Sequence, residues 1–378
     1  MNKVQKGKKI LLALMSFDIG GVETHVLELA CGLKKAGHIP VVVSNGGRFE
    51  EDLSKEGIGH IKVPLHNKNP LNMWKAYRML KSIIKEEKID IIHAHARIPG
   101  FILGKIHKET GIPFVTSAHW VFNTAWIYRV TTDWGPQTIA VSEDIKKYLM
   151  DNYSIPESQI KVTINGISTE RFSPEIPHED VVKELGIDEN KIKLVYISRL
   201  DEDRSLVVHH LLEVATELYE KHPNLQIIIV GGGNDFERVK AKVEAINSKL
   251  GVSFILLGGP RTDINKFTAL ADLFVGVSRA ALEAMAAKCP TLVAGNEGYI
   301  GIFDESKWAS AKASNFTCRG EKMCEPSLLK EDLEKLLALN EEERKRLGEY
   351  GYEIIEKYYS VKKMTEDNLA VYEKVLKD

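Results

Sequence analysis

Short apolar runs recur along the chain and alternate with stretches whose apolar residues repeat at helical spacing. The runs are continuous rather than alternating, which predicts strands that are covered on both faces and therefore belong to mostly parallel sheets. The helical patterns between them supply the covering layers, so the sequence predicts an α/β fold. The predicted strands are Ile10–Leu14, Val41–Ser44, Ile58–Val63, Ile89–His93, Phe114–Ser117, Thr138–Val141, Lys161–Ile164, Leu194–Ile197, Ile227–Val230, Phe254–Leu257, Leu273–Val277 and Thr291–Ala294.

The predicted strands form two series, separated by the stretch from Phe172 to Pro177. A chain of 378 residues has room for two domains of about 100–200 residues each. We expect two Rossmann-like, doubly wound domains, at residues 1–172 and 173–360, facing each other across a cleft. A last helical pattern at 361–378 is expected to pack back on the first domain. Open sheets of this kind bind ligands at the carboxyl ends of their strands, so we expect the site there, with residues from both halves.

Charge and composition limit the classes of function. The 51 Lys and Arg nearly balance the 53 Asp and Glu, leaving a formal net charge of −2, which argues against general nucleic-acid binding. No apolar stretch approaches the roughly 20 residues of a membrane span. The first apolar run is interrupted at Ser16 and Asp18, unlike a signal peptide, and the 4 cysteines are too scattered for a disulfide scaffold. We therefore expect a cytoplasmic protein, soluble or peripheral at the inner face of a membrane.

Peripheral contact has one candidate, the helical pattern Met73–Lys88. Apolar and aromatic residues such as Trp74 lie along one side of it and basic residues elsewhere. Such a helix can lie on an anionic membrane, but a helix packed on the core with a solvated face has the same pattern and is the favoured interpretation.

A strand, a tight turn and a helix meet at Ser278. We expect Ser278 to cap the helix and the free N–H groups after it to bind an anion such as a diphosphate. Glu283 follows about one turn later, where a carboxylate can reach the hydroxyls of a ribose. The alternative is a buried strand–helix unit with a solvent-facing glutamate.

Two arginines follow the first strand of the second series. Arg199 and Arg204 lie at the carboxyl end of a buried strand, where forked guanidinium donors suit a phosphate. The alternative is that both form surface ion pairs with the acids between them. Asp201 and Asp203 resemble a metal-binding DxD pattern, but nothing else there supplies oxygens, so a solvated acidic turn is favoured and no metal site is predicted.

Paired glycines and histidines mark the first half of the chain. Gly20 and Gly21 separate a strand from a helix, which allows a ligand near the backbone, although such turns often contain glycine for conformational reasons alone. His119, beside Trp120 at a strand end, is a candidate partner for sugar hydroxyls, and His95 is a weaker one. Hydrolase and metalloenzyme functions are disfavoured because neither a His-x-x-x-His pattern nor a Gly-x-Ser-x-Gly elbow is present.

Taken together, these stretches resemble the family 4 retaining glycosyltransferases of the GT-B architecture. The resemblance implies transfer of a sugar from a nucleotide diphosphate donor, a UDP-sugar in most cases, with retention of configuration. It also implies a basic pair at the diphosphate, matching Arg199 and Arg204, and a ribose-binding glutamate, matching Glu283. It rests on GGVETHVLELACGLKKAGH with the following VVVS, DIIHAH, the SAH that ends at His119, AVSEDIKKYL, INGISTERFSP, ISRLDEDRS, IIIVGGG, ADLFV and ALEAMAAKCPTLVAG.

The sequence departs from the family pattern at three positions. Arg204 stands where the family has lysine, and Ser205 where it has glycine. The first glutamate of the Glu-x7-Glu motif falls at Val275, so we expect Arg279 or Glu297 to take over part of its contact with the donor sugar. The full predicted sets are Arg199, Arg204 and His119 as catalytic residues, and Gly20, Gly21, Ser278, Arg279, Glu283, Glu297 and Gly298 as donor-binding residues.

The expected function is therefore that of a hexosyltransferase in cell-envelope glycan or glycolipid synthesis. It needs no cofactor, because the nucleotide sugar is a substrate, and its acceptor is an unidentified glycan, lipid or small molecule. Two alternatives are a GT-B-like sugar-nucleotide epimerase and a catalytically silent GT-B subunit that binds a sugar nucleotide or a partner.

Overall fold

The computed structural model describes residues 7–18, 20–121 and 132–377. The chain divides into two compact units: unit 1 comprises Met1–Gly166 and Ser360–Asp378, and unit 2 comprises Ile167–Tyr359. The first division falls at residues 166 and 167 rather than at 172 and 173. The Ile167 N–H donates to the Tyr359 carbonyl at 2.7 Å, which ties the start of unit 2 to its end.

Unit 1 contains a parallel sheet with the strand order β3-β2-β1-β4-β5-β6-β7. Ile10, Leu11 and Leu12 belong to an interior strand with an apolar run that the sequence predicts, and all three are fully buried. The strands are β1 (Lys9–Ala13), β2 (Ile39–Ser44), β3 (Gly59–Lys62), β4 (Ile91–Ala94), β5 (Phe114–Ala118), β6 (Gln137–Ala140) and β7 (Ile160–Val162). The helices are α1 (Gly21–Lys35), α2 (Glu50–Lys55), α3 (Pro70–Glu86), α4 (Arg97–Thr110) and α5 (Glu143–Tyr153).

Unit 2 contains a second sheet with the strand order β10-β9-β8-β11-β12-β13, parallel except for the last pair. The strands are β8 (Ile192–Ile197), β9 (Leu225–Val230), β10 (Ile255–Gly259), β11 (Leu273–Gly276), β12 (Thr291–Gly295) and β13 (Gly298–Ile302). The helices are α6 (Glu179–Leu185), α7 (Leu206–Lys221), α8 (Phe236–Leu250), α9 (Ile264–Leu270), α10 (Ser278–Ala286), α11 (Trp308–Ala313), α12 (Pro326–Ala338) and α13 (Glu341–Ile354).

The two sheets confirm the prediction of buried, mostly parallel strands. In β11, Leu273 and Val275 pack into one hydrophobic cluster, whereas Phe274 between them packs into another. Successive side chains of a strand point to opposite faces, so a strand with helices on both sides needs apolar residues at every position. This is why the runs in the sequence are continuous.

The last helix, α14 (Val361–Val375), belongs to unit 1. A short π-helical segment, Ile355–Tyr359, precedes it. The helix packs against α1 and contributes Met364 and Tyr372 to the hydrophobic cluster beneath that helix. The Tyr372 hydroxyl also lies 2.7 Å from Nδ1 of His93, so the C-terminal helix is joined to the central strands by a buried hydrogen bond.

Helix α3 has the packed inner face that the sequence favoured. Leu80 and Ile83 are buried, whereas Leu71 and Trp74 are exposed. The guanidinium of Arg78 lies over the Trp74 ring, 5.0 Å from its centroid. Within the described residues, no helix combines the length and the apolar character that crossing a membrane requires.

Candidate functional site

The loop after β8 and the loop after β9 form one hydrogen-bonded assembly at the carboxyl edge of the unit 2 sheet. The Leu200 N–H donates to the Gly232 carbonyl at 3.0 Å, and the Asp235 N–H donates to the Leu200 carbonyl at 2.8 Å. Because β8 and β9 are parallel neighbours, both loops leave the sheet at the same edge. The backbone that carries Arg199 and Arg204 is therefore held in place by its neighbour.

The glycines after β9 are required by this close approach. Gly231 has φ +147°, and a Cβ there would lie 1.8 Å from the Ser198 carbonyl oxygen. Gly233 has φ +158°, and its Cβ would lie 2.3 Å from the Leu200 carbonyl oxygen. These contacts show that the glycine run after β9 supports the arginine loop.

Replacing Gly231 by alanine is expected to lower the free energy of unfolding by about 1–3 kcal/mol, because a backbone that only glycine adopts easily must be strained and the Ser198 carbonyl must move. Urea unfolding measures the change. Gly59→Ala is the matched control, since a Cβ at Gly59 meets nothing within 4 Å. Equal unfolding free energies for the two variants would contradict the requirement for close approach.

A buried acid fixes the end of the arginine loop. Ser205 Oγ donates to Asp235 Oδ2 at 2.5 Å, and His209 Nε2 lies 2.6 Å from the same oxygen. Burial opposes ionisation of Asp235, but the hydrogen bonds from Ser205 and His209 prevail and lower its pKa. The sequence did not single out Asp235, because its partners lie about 30 residues away in the chain.

Arg199 and Arg204 keep their guanidinium groups in solvent. Their side chains are 61% and 46% exposed, and each nitrogen contact is long: 3.4 Å from Arg199 Nε to Asp201 and 3.8 Å from Arg204 Nε to Asp203. Exposed ion pairs of this kind contribute about 0–1 kcal/mol. The surface ion pairs that the alternative interpretation expected are therefore present, with Asp201 and Asp203 as partners. They are weak enough for a phosphate to displace.

The two acids of the DxD pattern have partners within the protein. Asp201 Oδ1 accepts from the Asn234 N–H at 3.2 Å, and its other oxygen faces Arg199. The Asp203 carboxylate faces Arg204. The main-chain carbonyl of Asp203 accepts from Asn296 Nδ2 at 2.8 Å. This last bond connects the arginine loop to the turn between β12 and β13.

Glu297 and Gly298 lie in that turn. Glu297 pairs with Arg319, whose Nη2 is 3.1 Å from Oε2. Gly298 has φ +158°, and a Cβ would lie 2.2 Å from the Cys318 carbonyl oxygen, so the packing of the turn accounts for glycine here. The donor-binding role of both residues stays a prediction.

The start of helix α10 differs from the expectation. Val277, in an extended conformation, is the N-cap, and no side chain caps the helix. Ser278 is the first helical residue, and its N–H donates to the Phe316 carbonyl at 2.7 Å. The prediction that Ser278 caps the helix is therefore wrong, and its N–H is not available to an anion.

Ser278 is one of several non-glycine residues with positive φ in this region. Its φ is +54°, and Asn315, Phe316 and Cys318 have φ between +53° and +63°. Such conformations are uncommon outside glycine and cluster at functional sites. Here they bring the 315–318 segment against the start of α10 and the β12–β13 turn.

Glu283 is buried and paired with Arg279. Its exposed fraction is 3%, and its Oε1 lies 2.7 Å from Arg279 Nε, one turn earlier on α10. The alternative of a solvent-facing glutamate is therefore wrong. Val275, which stands where the family has a glutamate, is fully buried in β11 and faces the core.

Gly20 and Gly21 begin helix α1 in unit 1. Gly20 has φ −176°, an extended conformation open to any residue, but a Cβ on it would lie 2.2 Å from Glu23 Oε2, so that side chain would have to shift. A Cβ on Gly21 would meet nothing within 4 Å. The donor-binding role of this glycine pair stays a prediction.

Three imidazoles meet at the carboxyl edge of the unit 1 sheet. His95 follows β4 and His119 follows β5, and His95 Nδ1 lies 3.2 Å from His119 Nε2. His25 of α1 lies against both rings, with its centroid 4.7 Å from that of His119 and 5.7 Å from that of His95. The sequence had named His119 and, as a weaker candidate, His95, but not His25.

Burial lowers the pKa values of His95 and His119. Desolvation lowers the pKa of His119 to about 4, and it lowers that of His95 well below its ordinary value, with the neighbouring imidazoles adding to the effect. His93 lies next to these rings, and desolvation lowers its pKa to about 3. Its ring nitrogens bond to Tyr372 and Ser117. Near neutral pH, His119 can therefore exchange hydrogen bonds with a hydroxyl while carrying no charge.

Comparison with known families accounts for both units. The family model described as Glycosyltransferase Family 4 matches residues 19–171, and the model described as Glycosyl transferases group 1 matches residues 178–354. The chain belongs to the family 4-like GT-B glycosyltransferases.

Individual relatives agree with this assignment. An uncharacterized glycosyltransferase of Methanocaldococcus jannaschii is 26% identical over 314 residues, which cover 75% of this chain and 79% of that protein. A glycosyltransferase from Rickettsia africae has the same fold, with a TM-score of 0.79, 22% identity and coverage of 99% and 100% of the two chains. Anabaena HepE, solved in complex with UDP, gives a TM-score of 0.72 at 16% identity, with coverage of 97% and 100%.

In this glycosyltransferase, the predicted residues fall into two groups. Arg199, Arg204 and Glu297 lie on loops of unit 2 that are joined by the hydrogen bond from Asn296 Nδ2 to the Asp203 carbonyl. His119 and the Gly20–Gly21 pair lie in unit 1. The residues that the sequence missed, His25 and Asp235, are buried and take part in contacts that only the folded chain forms.

Proposed function

We propose that this glycosyltransferase transfers a hexose from a UDP-sugar to an acceptor hydroxyl with retention of configuration. The observation that carries the proposal is the exposed arginine pair, Arg199 and Arg204, on a loop held at the carboxyl edge of the unit 2 sheet. Support for the nucleotide comes from Anabaena HepE, a structural neighbour solved in complex with UDP.

The difficult step of this reaction is departure of the nucleoside diphosphate. The bond from the anomeric carbon to the diphosphate oxygen breaks, and negative charge develops on that oxygen. Positive side chains held in advance at that position lower the barrier, because they need not reorganise during the reaction. Arg199 and Arg204 supply this charge, and the Ser205–Asp235 bond keeps their loop in place.

Retention follows from a front-face transfer, in which the acceptor approaches the face that the diphosphate leaves. This route needs no protein nucleophile. In the proposal, the neutral His119 holds a hydroxyl of the transferred sugar, and the Gly20–Gly21 backbone leaves room for the substrate. The acceptor is a hydroxyl of a cell-envelope glycan, a glycolipid or a small molecule.

Calorimetry of the purified chain with a panel of nucleotide sugars tests the donor. We expect one UDP-sugar to bind more tightly than its GDP and ADP counterparts. Release of UDP is then measured with glycan, lipid and small-molecule acceptors, and the anomeric configuration of the product is read by nuclear magnetic resonance. Absence of binding to every nucleotide sugar, or an inverted product, would contradict the proposal.

Two other functions remain as outcomes of the same assay. An epimerase converts the UDP-sugar without any acceptor and releases no glycosylated product. A silent subunit binds the nucleotide sugar but turns nothing over, and the observation that favours it is Val275, because a buried valine cannot take the place of the family's sugar-binding glutamate.

Turnover is expected to persist in the presence of EDTA, because in this proposal arginines rather than a metal ion neutralise the diphosphate. The assay compares rates in the purified chain before and after chelation. Loss of turnover that Mg²⁺ or Mn²⁺ restores would instead assign Asp201 and Asp203 as metal ligands.

A further inference from the structure

The histidine cluster of unit 1 has the composition of a metal site. His25, His95 and His119 each place a ring nitrogen within 4.8 Å of the other two. Among the described residues, this is the one group of three potential metal ligands that lie so close together. His25 and His95 are 0% and 2% exposed, so the cluster is held inside the unit rather than on a mobile surface.

The fold explains why these three rings meet. β4 and β5 are parallel neighbours, and His95 and His119 are the first residues beyond their carboxyl ends. Helix α1 follows β1, and β1 pairs with β4 on the side of β4 that faces away from β5. His25, fully buried on that helix, therefore lies above the same edge of the sheet. The rings belong to three separate elements, each anchored by the core.

The distances suit a small cation. A tetrahedral Zn²⁺ with bonds of about 2.0–2.1 Å to nitrogen separates two ligand nitrogens by about 3.4 Å. His95 Nδ1 and His119 Nε2 are already 3.2 Å apart. The ring nitrogens of all three residues lie within 4.8 Å of one another, so binding requires an approach of up to about 1.4 Å to reach the spacing of a tetrahedral site.

The protonation states also suit a cation. The hydrogen bond between His95 and His119 uses one proton, so a metal bound to both nitrogens requires the donor ring to move that proton to its other nitrogen. This is a change of tautomer and needs no net deprotonation. His95 Nε2 is buried and, within the described residues, has no hydrogen-bond partner. The ring is therefore not fixed by a second bond in its present tautomer.

We propose that His25, His95 and His119 bind one divalent transition-metal ion, such as Zn²⁺, with water in the fourth position. Three imidazole ligands favour Zn²⁺, Co²⁺, Ni²⁺ or Cu²⁺ over Mg²⁺ and Ca²⁺, which prefer oxygen ligands. His93 is excluded as a ligand, because Tyr372 and Ser117 occupy both of its ring nitrogens.

Metal binding has a consequence for transfer that rests on the proposed function. A His119 that binds the ion through Nε2 keeps only the N–H of Nδ1, so it can no longer accept a hydrogen bond from a sugar hydroxyl, and the ion therefore inhibits transfer. The site is thus an inhibitory metal site and not a cofactor site. The consequence agrees with turnover that persists in EDTA.

Titration of the tag-free chain with Co²⁺ tests binding without any activity measurement. A histidine-ligated, four-coordinate Co²⁺ gives visible ligand-field absorption, which we expect to saturate at one equivalent and to disappear when Zn²⁺ displaces the ion. His25→Asn, His95→Asn and His119→Asn are each expected to weaken Co²⁺ binding by at least about 10- to 100-fold, since even loss of a residue that only supports a ligand has an effect of that size.

His66→Asn is the matched control. His66 is an exposed histidine of unit 1 outside the cluster, so this variant should bind Co²⁺ like the wild type. Thermal unfolding without metal identifies any variant that fails to fold, and His119, which is only partly buried, is the cluster position that best tolerates replacement.

The outcomes separate the metal site from the proposed function. Absence of Co²⁺ absorption in the wild type overturns the site. So does a Co²⁺ affinity in the three folded cluster variants that equals that of the wild type. If Co²⁺ binds as expected but no UDP-sugar is turned over, the site stands and the transferase proposal fails. If transfer proceeds and Zn²⁺ leaves it unchanged at saturation of the site, the inhibitory role is wrong.

Discussion

UDP binding is expected to weaken about 10- to 150-fold when either Arg199 or Arg204 is replaced by alanine, while uridine binding stays nearly unchanged. Each guanidinium contributes a charge-assisted hydrogen bond to the diphosphate, worth about 1.5–3 kcal/mol. The present partners of these arginines are weak, exposed carboxylate contacts, so little has to be broken before the phosphate binds. Calorimetry with both ligands measures the difference.

Arg346→Ala is a suitable control for this experiment. Arg346 is also an exposed arginine of unit 2 with a carboxylate partner, Glu305, at 3.1 Å, but it lies on α13. Its loss should leave UDP binding unchanged. Arg204→Lys should retain most of the UDP affinity, because the family pattern has lysine at this position. Equal losses of UDP and uridine affinity in the alanine variants would contradict contact with the diphosphate.

Most of the fold could be predicted because burial on both faces leaves a direct record in the sequence. Leu273, Phe274 and Val275 are all apolar because alternate residues pack into different clusters. β13 was missed for the opposite reason. Its sequence, GYIGI, contains two glycines with positive φ and pairs antiparallel with β12 at the sheet edge, so it lacks a continuous apolar run.

The candidate site was less predictable, because its geometry depends on contacts between distant parts of the chain. A serine at the start of a helical pattern predicts a cap, but the carbonyl of Phe316 takes the Ser278 N–H, and no local pattern around Ser278 reveals that acceptor. The histidine cluster has the same origin. The sequence has no His-x-x-x-His pattern that would indicate these ligands, whereas the sheet topology brings His25 and His95 to His119.

The ion pair of the partly buried Arg279 and the buried Glu283 gives Glu283 a second role beside the ribose contact that the family resemblance implies. A carboxylate that is 3% exposed and 2.7 Å from a guanidinium nitrogen supports the helix whether or not a ligand is present. Loss of nucleotide binding in a Glu283 variant would therefore have two explanations. Stability and ligand binding must be measured together to separate them.

Glu283→Gln is expected to lower the free energy of unfolding by about 3–5 kcal/mol, because it removes the carboxylate beside the Arg279 guanidinium, whose side chain is only 13% exposed. Arg279→Met should also destabilise the protein, and the double variant should lose less than the sum of the two, since neither charge then remains unpaired. Urea unfolding of the three variants measures this coupling. Additive losses would show that the pair does not stabilise the fold.

The ribose contact is tested with UDP and 2′,3′-dideoxy-UDP on those variants that remain folded. A carboxylate that accepts hydrogen bonds from the ribose hydroxyls contributes about 1.5–3 kcal/mol, so Glu283→Gln should weaken UDP binding about 10- to 150-fold. The dideoxy ligand has no hydroxyls to lose and should bind both proteins alike. Arg279→Met serves as the control for loss of the pair, because it removes Glu283's partner and leaves the carboxylate in place. If Glu283→Gln weakens both ligands equally, the carboxylate acts through the structure of α10 and not through the ribose.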